Sequence, residues 1–463
     1  MRYVSTRGRA PVLDFADVLL AGLARDGGLY LPESWPTFSK ERWRELQGLS
    51  YQELAVEVML PFVEPSLTRE ELQECVEKAY ATFHHPAIAP LKQLDTNHWV
   101  LELFHGPTLA FKDYALQLVG HLFSLVLKKK GARVTIVGAT SGDTGSAAIE
   151  ACRDRENVNI FILHPHGRVS DVQRHQMTTV DASNVFNVAV KGDFDDCQDL
   201  VKTLFADESF RDEQSLGAVN SINWARIMAQ VVYYAWASLN LGAPDRPVGF
   251  AVPTGNFGNI FAGWVARQMG LPIERLVIGS NRNDILARFE QSGEMKMEGV
   301  EASLSPSMDI QVSSNFERLL FELFDRDGAR VESWMQEFRT QRNARVDDAT
   351  MERLHALFSS ARFDDAETKA LIDAWYAKTG ELFCPHSVIG VEAARKDKAY
   401  GEIAFVSLAT AHPAKFPAAV EEASGIYPSL PSFLADLMSR TERYEVMANS
   451  AEDLKALVRS KTS

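Results

Sequence analysis

The sequence has few cysteines and no excess of positive charge. Its 463 residues include 4 cysteines, none in a CxxC pair, so neither a disulfide framework nor a thiolate zinc site is predicted. Lys and Arg number 48 against 62 Asp and Glu, which gives a net charge of −14. Nucleic acids and anionic membranes select basic surfaces, so the charge disfavours both as partners.

Several motifs that would assign a function by themselves are also missing. The 11 histidines form no HExxH motif, and the chain has no GxSxG, GxGxxG or P-loop sequence. The longest apolar stretch, 116–127, contains Gly120 and His121 and is too short to span a bilayer. The arginines near the N-terminus precede no apolar run, so no secretory signal is predicted. We therefore expect a cytoplasmic protein that holds no metal.

What the chain does contain is an alternation of strands and helices. A helix-rich first segment ends near residue 88, where two X-Pro pairs break the pattern. The apolar runs that predict strands are 100–104, 134–137, 248–252, 276–279 and 404–408. A highly charged helical region is predicted from Ser333 to Lys378. Strands and helices at this spacing indicate an α/β protein with largely parallel sheets.

The loop Thr254–Asn259, which follows the strand at 248–252, contains two glycines ahead of a predicted helix. Small residues let backbone N–H groups approach a phosphate, and the helix adds its positive N-terminal end. Taken alone, the loop is as typical of a tight turn that begins a helix.

The loop Thr140–Gly145 groups Ser, Thr and Asp around two glycines at another predicted helix start. Its N–H and O–H donors suit a carboxylate or a phosphate. Asp143 would repel such an anion, and the alternative is that Asp143 caps an ordinary helix.

Lys112 is predicted to begin a helix directly behind three apolar residues, 109–111. Burial and the positive end of the helix both lower the pKa of a lysine, which favours the neutral amine. Neutral amine is the form that makes a Schiff base with an aldehyde. Most lysines are solvated, so this position alone is not decisive.

Together these loops resemble the threonine synthase family, pyridoxal-phosphate enzymes of fold type II. The stretches that carry the resemblance are DGGLYLP at 26–32, HGPTLAFKD at 105–113, ATSGDTGSAA at 139–148, NSINWARIMAQ at 220–230, PTGNFGN at 253–259, SMDIQVSSNFERLLFE at 307–322 and TAHPAKF at 410–416. The resemblance covers nearly the whole chain and implies two open, twisted, mostly parallel sheets flanked by helices, with a helical N-terminal domain. The predicted domains are 1–88 (N-terminal, helical), 89–112 with 225–463 (large, cofactor-binding α/β) and 113–224 (smaller α/β).

The resemblance also implies roles for individual residues. Lys112 would form the Schiff base with pyridoxal phosphate, and the Thr410 hydroxyl would lie at the pyridine nitrogen. The residues implied to cradle the cofactor phosphate are Gly255, Asn256, Phe257, Gly258 and Asn259. The residues implied to hold the substrate carboxylate are Thr140, Ser141, Gly142, Asp143 and Thr144, with Thr144 also near the distal phosphate. The residues implied to hold the substrate phosphate are Asn220, Ser221 and Arg226.

The implied reaction is O-phospho-L-homoserine plus water giving L-threonine and phosphate, with Lys112 as the simplest group for the proton transfers. Two alternatives stay open: another fold-type-II lyase, such as a serine/threonine dehydratase or a phospho-lyase, and a silent cofactor-binding protein. We expect a monomer or a homodimer. Asp143 stands where many relatives in the wider fold have Asn, and Cys384 where the family more often has Asp.

Overall fold

A computed structural model describes residues 1–140, 142–218 and 220–462. The β-strands are β1 (Arg2–Ser5), β2 (Leu13–Asp14), β3 (Tyr30–Pro32), β4 (Leu91–Asp95), β5 (His98–Glu102), β6 (Val134–Ala139), β7 (Val158–Pro165), β8 (Val185–Lys191), β9 (Leu216–Gly217), β10 (Val248–Pro253), β11 (Ile273–Ser280), β12 (Glu294–Lys296), β13 (Asn343–Arg345), β14 (Phe358–Arg362), β15 (Ala404–Ala409) and β16 (Glu445–Ala448). The α-helices are α1 (Phe15–Ala21), α2 (Lys40–Glu45), α3 (Tyr51–Val63), α4 (Arg69–Tyr80), α5 (Lys112–Lys130), α6 (Asp143–Cys152), α7 (Asp171–Thr178), α8 (Phe194–Ala206), α9 (Glu208–Glu213), α10 (Trp224–Asn240), α11 (Gly258–Gln268), α12 (Ile285–Ser292), α13 (Phe316–Leu323), α14 (Gly328–Gln341), α15 (Asp348–His355), α16 (Asp365–Thr379), α17 (Pro385–Lys396), α18 (Pro417–Ser424) and α19 (Ala451–Thr462).

The chain divides into two compact units, each built around its own sheet. The segments of the first unit are Met1–Glu77, Phe83–His105 and Ser221–Pro428, and those of the second unit are Lys78–Thr82, Gly106–Asn220 and Ser429–Ser463. The two mainly parallel sheets confirm the predicted fold class.

The first unit contains a six-stranded sheet in the order β14-β11-β10-β15-β5-β4. All neighbouring strands are parallel except the edge pair β4 and β5. Every residue of β10 and of β15 is buried, as expected for strands covered on both faces. Ala251 of β10 and Phe405 of β15 share a core cluster with Ile389 of α17, so this helix covers one face of the central strands.

The N-terminal segment is part of the first unit and is less helical than predicted. Besides α1 to α4 it contains a three-stranded antiparallel sheet in the order β2-β1-β3. Arg7, just after β1, donates from Nε and Nη2 to the two carboxylate oxygens of Glu317 on α13, at 3.1 Å each, and Thr6 donates to the same carboxylate at 2.6 Å. This buried ion pair attaches the N-terminus to a segment 310 residues away in sequence.

The second unit contains a five-stranded, wholly parallel sheet in the order β16-β8-β7-β6-β9. Its edge strand β16 and the following helix α19 come from the C-terminal end of the chain. Leu454 and Val458 of α19 are buried in one cluster with Val190 and Leu200. The C-terminal segment therefore completes the core of this unit.

Two features differ from the sequence-based expectations. Residues 429–463 group with the second unit, whereas the predicted large domain included them, because β16 pairs with β8 across a wide sequence separation. The region 333–378 is not continuously helical, since β13 and β14 interrupt it. The strand β14, FSSAR, lies at the edge of the sheet and pairs with β11. It was not predicted because its polar sequence lacks the apolar run that indicates a buried strand.

The helix α5 begins at Lys112 and ends before Gly131, as the sequence predicts. Gly131 has a φ of 60°, the left-handed conformation that favours glycine at a helix end. Among the described residues, no helix is both long enough and apolar enough to cross a membrane.

The buried pair Arg7–Glu317 leads to a prediction about stability. The side chains of Arg7 and Glu317 are 8% and 4% exposed, so Glu317→Gln leaves a nearly buried cation without its counter-charge. We expect the variant to lose about 3 kcal/mol of unfolding free energy, measured by urea unfolding. Glu33→Gln is the matched control, because Glu33 pairs with Arg2 at an exposed position and should lose less than about 1 kcal/mol. Equal losses in the two variants would contradict the anchoring role.

Candidate active site

Two of the predicted site segments lie at the same edge of the first unit's sheet. The strands β10 and β15 are parallel neighbours, and Thr254 and Thr410 are the residues that directly follow them. The carboxyl ends of parallel strands are where open α/β sheets place their ligands. The pairing of the strands thus brings together two loops that are 156 positions apart in sequence, at Thr254 and Thr410.

The glycine loop, residues 254–259, is shaped by close backbone contacts. A Cβ on Gly255 would lie 2.7 Å from the Ser307 carbonyl oxygen, so only glycine fits there. Phe257 has a left-handed φ of 62° at the start of α11, and its ring packs edge-on against Phe316, with 5.2 Å between the ring centroids. The buried aromatic contact stabilises a backbone conformation that a bulky residue rarely adopts.

The loop has the properties of a phosphate cradle. It ends at the N-terminus of α11, an 11-residue helix. The first N–H groups of a helix have no acceptor within the helix, so they are available to an anion. Asn259 is 8% exposed, and its Oδ1 accepts from the hydroxyls of Tyr233, at 2.6 Å, and Tyr234, at 3.0 Å. Its buried Nδ2 has no hydrogen-bond partner among the described residues. A buried donor without an acceptor fits an anionic group such as a cofactor phosphate.

Arg226, in the first turn of α10, is a buried cation that forms no ion pair with a carboxylate among the described residues. It is 4% exposed, and its Nε and Nη1 have no hydrogen-bond partner within the described part of the chain. Burial lowers the pKa of this guanidinium to about 10, which leaves it protonated at neutral pH. The first turn of a helix is also an unfavourable place for a positive charge. Such an arginine is built to receive an anion.

The other predicted phosphate ligands fall on both sides of a unit boundary. Ser221 belongs to the first unit and Asn220 to the second. The Ser221 hydroxyl lies 3.4 Å from the Ser314 hydroxyl. The Asn220 Oδ1 is buried and finds no partner among the described residues.

Thr410 is 5% exposed and is held by its backbone, since its N–H donates to the Ser387 hydroxyl at 3.0 Å. Ser387 lies in the first turn of α17, and Cys384 is the N-cap of that helix, with its Sγ accepting from the Ser387 N–H at 3.4 Å. The position where the family more often has Asp is therefore a helix cap. A thiol is a weaker acceptor than a carboxylate, but it can still cap the helix that supports Thr410.

In the second unit, Lys112 and Asp143 form a buried ion pair. They are 8% and 7% exposed, and the Lys112 Nζ lies 3.4 Å from the Asp143 Oδ2. Gln173 of α7 donates to the other carboxylate oxygen at 2.9 Å. The expected burial of Lys112 is present, and the Asp143 charge is directed at the lysine.

The loop that precedes Asp143 is organised by Thr140. The Thr140 hydroxyl accepts from the N–H groups of Gly142, at 3.0 Å, and Gly145, at 2.9 Å. The helix cap is Gly142, so the interpretation of Asp143 as the N-cap is wrong; Asp143 is the first residue of α6. Thr144 is partly exposed in the first turn of that helix, and Ser141 lies outside the described residues.

Three side chains around these loops were not singled out from the sequence. Asp113 is fully buried and accepts from both the N–H and the hydroxyl of Thr108, which holds the loop ahead of Lys112. Gln173 orients Asp143, and Asn315 contacts the glycine loop. The stretch that contains Asn315 does resemble the family, but nothing in its composition indicated its contacts.

Two histidines of the first unit, His386 and His412, accept hydrogen bonds from backbone N–H groups. His386 accepts from the Ser307 N–H at 3.3 Å, and His412 from the Ala414 N–H at 3.1 Å. Burial lowers the pKa of His412 to about 4. Both rings therefore support the backbone, and the His412 ring is neutral at physiological pH.

Comparison with known proteins covers nearly the whole chain. Three family models match: threonine synthase N terminus at residues 2–80, pyridoxal-phosphate dependent enzyme at 82–337 and threonine synthase, C-terminal, at 387–458. The threonine synthase of Pseudomonas aeruginosa is 55% identical, with 99% of this chain and 98% of the relative aligned.

Two crystal structures give the same result in three dimensions. The pyridoxal-phosphate-bound threonine synthase from Brucella melitensis superposes with a TM-score of 0.98 at 55% identity, covering 100% of this chain and 99% of its own. The yeast threonine synthase superposes with a TM-score of 0.94 at 39% identity, covering 99% and 98%. The chain belongs to the threonine synthase family of pyridoxal-phosphate-dependent enzymes of fold type II.

Proposed function

We propose that this protein converts O-phospho-L-homoserine and water to L-threonine and phosphate by γ-elimination and β-addition. The observation that carries the proposal is the buried guanidinium of Arg226, whose Nε and Nη1 have no hydrogen-bond partner among the described residues. A lyase whose substrate lacks a phosphate needs groups for the cofactor phosphate and for the substrate carboxylate, but has no use for a further buried cation. The family membership and the matched relatives support the same reaction.

Arg226 would hold the substrate phosphate in two stages of the reaction. A planar guanidinium can donate two parallel hydrogen bonds to phosphate oxygens. Since Arg226 is desolvated and has no carboxylate partner among the described residues, its attraction for a phosphate is little weakened by water. The same contact stabilises the phosphate as it departs with more negative charge. Asn220 and Ser221 would add an amide and a hydroxyl donor.

Pyridoxal phosphate, when bound, supplies the electron sink that makes Cα and Cβ of an amino acid acidic. The glycine loop would hold its phosphate through backbone N–H groups and the Asn259 amide, and the Thr410 hydroxyl would contact its ring nitrogen. Lys112 would hold the cofactor covalently in the resting protein. Thr140, Gly142 and Thr144, with Ser141 of the same loop, would bind the substrate carboxylate, while the Asp143 carboxylate of that loop pairs with Lys112.

Lys112 would also move the protons. As a free amine, its Nζ can take the Cα proton and later return a proton to Cα. The proton that Cβ loses is balanced by the proton that Cγ gains when the phosphate leaves, which forms the methyl group of threonine. Water then adds its hydroxyl group at Cβ and gives its other proton to the released phosphate. Asp143, at 3.4 Å, stabilises the ammonium form that results from each proton uptake. Gln173 fixes the carboxylate by its hydrogen bond to Oδ1, so that Oδ2 stays directed at the lysine.

The test of the proposed reaction is to incubate the holoenzyme with O-phospho-L-homoserine and to identify the products. Formation of threonine with an equal amount of phosphate supports the synthase. Release of phosphate with 2-oxobutyrate would instead show a phospho-lyase, and protein that binds the cofactor without any turnover would be a silent relative.

We also propose a cytoplasmic location, a monomeric or homodimeric state, and, apart from residues 429–463, the domain division predicted from the sequence. Light scattering during size-exclusion chromatography measures the oligomeric state directly.

Lys112→Ala tests the proton-transfer role. We expect threonine formation to fall by at least about a thousandfold, because no other group would replace Lys112 as the base and as the covalent attachment point of the cofactor. Lys112→Arg keeps the charge beside Asp143, so it should retain the fold, measured by circular dichroism, and still be inactive. Lys128→Ala, at the exposed C-terminal end of the same helix, is the control and should keep normal activity. Substantial turnover by Lys112→Ala would refute the assignment.

Arg226→Met separates a binding role from a structural one. We expect the KM for O-phospho-L-homoserine to rise by the equivalent of about 1.5–3 kcal/mol, while the thermal midpoint of the phosphate-free protein rises, because an unpaired buried charge is removed.

Arg318→Met is the matched control for Arg226→Met. Arg318 is also fully buried, but its guanidinium donates to the carbonyl groups of Tyr30 and Ile222, so its loss should lower the thermal midpoint. A lower midpoint for Arg226→Met with an unchanged KM would show that Arg226 is structural.

A further inference from the structure

The segment Ser313–Asn315, ahead of α13, forms hydrogen bonds to successive residues of the glycine loop. The Ser313 hydroxyl donates to the Gly255 carbonyl oxygen at 2.7 Å. The Ser314 hydroxyl donates to the Asn256 Oδ1 at 3.2 Å, and the Asn315 N–H donates to the Asn256 carbonyl oxygen at 3.0 Å. Three adjacent residues thus contact two adjacent residues of the loop.

The Asn315 side chain joins this loop to a second segment. Its Nδ2 donates to the Asn256 carbonyl oxygen at 2.9 Å and to the Ser221 carbonyl oxygen at 3.1 Å. Both amide hydrogens are therefore used, and the side chain is fully buried. A Cβ on Gly258 would lie 3.2 Å from the same Nδ2, so the loop lies closely against the amide.

Arg318 fixes the orientation of that amide. A guanidinium has only donors, so the Asn315 oxygen faces Arg318 Nη1 and the Asn315 nitrogen must face the two carbonyl groups. Arg318 Nη2 also donates to the Ile222 carbonyl oxygen at 2.6 Å, which holds the residue that follows Ser221.

These bonds determine where backbone donors point. In a planar trans peptide the C=O and the N–H point in opposite directions. Holding the Gly255 and Asn256 carbonyl groups therefore aims the N–H groups of Asn256 and Phe257 away from the segment 313–315. Holding the Ser221 carbonyl group does the same for the Ile222 N–H. An anion site made of backbone N–H groups works only when those groups converge.

We infer that Asn315, oriented by Arg318, is a positioning residue that sets the cofactor-phosphate loop and the substrate-phosphate segment at once, and so couples their affinities. The inference rests on the proposed function, which assigns a phosphate to each of the two segments. It adds that removing the Asn315 amide lowers the affinity for both phosphates, although Asn315 donates a hydrogen bond to neither of them. Among the described residues, the Ser313 hydroxyl donates to the glycine loop and not to the segment at Ser221, so we expect its loss to affect the cofactor alone.

The experiment compares Asn315→Ala with Asn184→Ala. Asn184 is a buried asparagine whose Nδ2 likewise donates to backbone carbonyl groups, those of Cys152 and Val158 at 2.8 Å, and it has no part in the proposed site. Two affinities are measured: that of the cofactor-free protein for pyridoxal phosphate, by fluorescence quenching, and that of the holoenzyme for inorganic phosphate, as a competitive inhibitor. Thermal midpoints are recorded for both variants.

We expect Asn315→Ala to weaken both affinities about tenfold, the usual effect of losing a buried hydrogen bond. Asn184→Ala should lower the thermal midpoint and change each affinity by less than about twofold. Loss of only one affinity in Asn315→Ala, or of neither, overturns the coupling.

Two further variants make the outcome decisive. Should Asn315→Ala fail to fold, Ser313→Ala decides: we expect about threefold weaker cofactor binding with unchanged phosphate inhibition, and no effect on the cofactor would overturn the inference. Arg226→Met tests the underlying assignment separately. If Arg226→Met leaves the inhibition by phosphate unchanged, the proposed function fails. If Arg226→Met weakens that inhibition but Asn315→Ala changes neither affinity, the coupling alone is rejected.

Discussion

The parallel pairing of β10 with β15 and β11 is the constraint on which the rest of the first unit depends. Parallel strands end at the same edge, so the residues after them become neighbours without any sequence relationship. Complete burial of β10 and β15 gives this edge a rigid base. Loops on such a base can hold backbone N–H groups in fixed directions, which a phosphate requires.

The contrast between Arg226 and Arg318 shows how one residue type serves two purposes. Both side chains are buried, and burial lowers both pKa values, to about 10 and about 9. Arg318 donates to backbone carbonyl groups and thereby stabilises the fold, whereas Nε and Nη1 of Arg226 find no acceptor among the described residues. The protein bears the free-energy cost of an unpaired charge at the position where the proposed substrate brings an anion.

Much of this arrangement could be predicted from local sequence. The α/β class followed from the strand runs, and the start of α5 at Lys112 and its end at Gly131 followed from helical periodicity and a glycine stop. The family motifs named the glycine loop, Lys112 and Arg226. What was missed has low local signal: β14 is polar because it is an edge strand, and the C-terminal segment joins the second unit through β16, a contact of high sequence separation.

The sequence by itself determined the class of fold, the family and the residue types able to do the chemistry, because these depend on short-range patterns and on ordered motifs. Only the tertiary structure decided which of those residues have partners. It paired Asp143 with Lys112 and Gln173 rather than using it as a helix cap, and it placed Asn315 behind the glycine loop. The physical reason is that hydrogen bonds and ion pairs form between atoms close in space, and folding brings together positions that the sequence holds far apart.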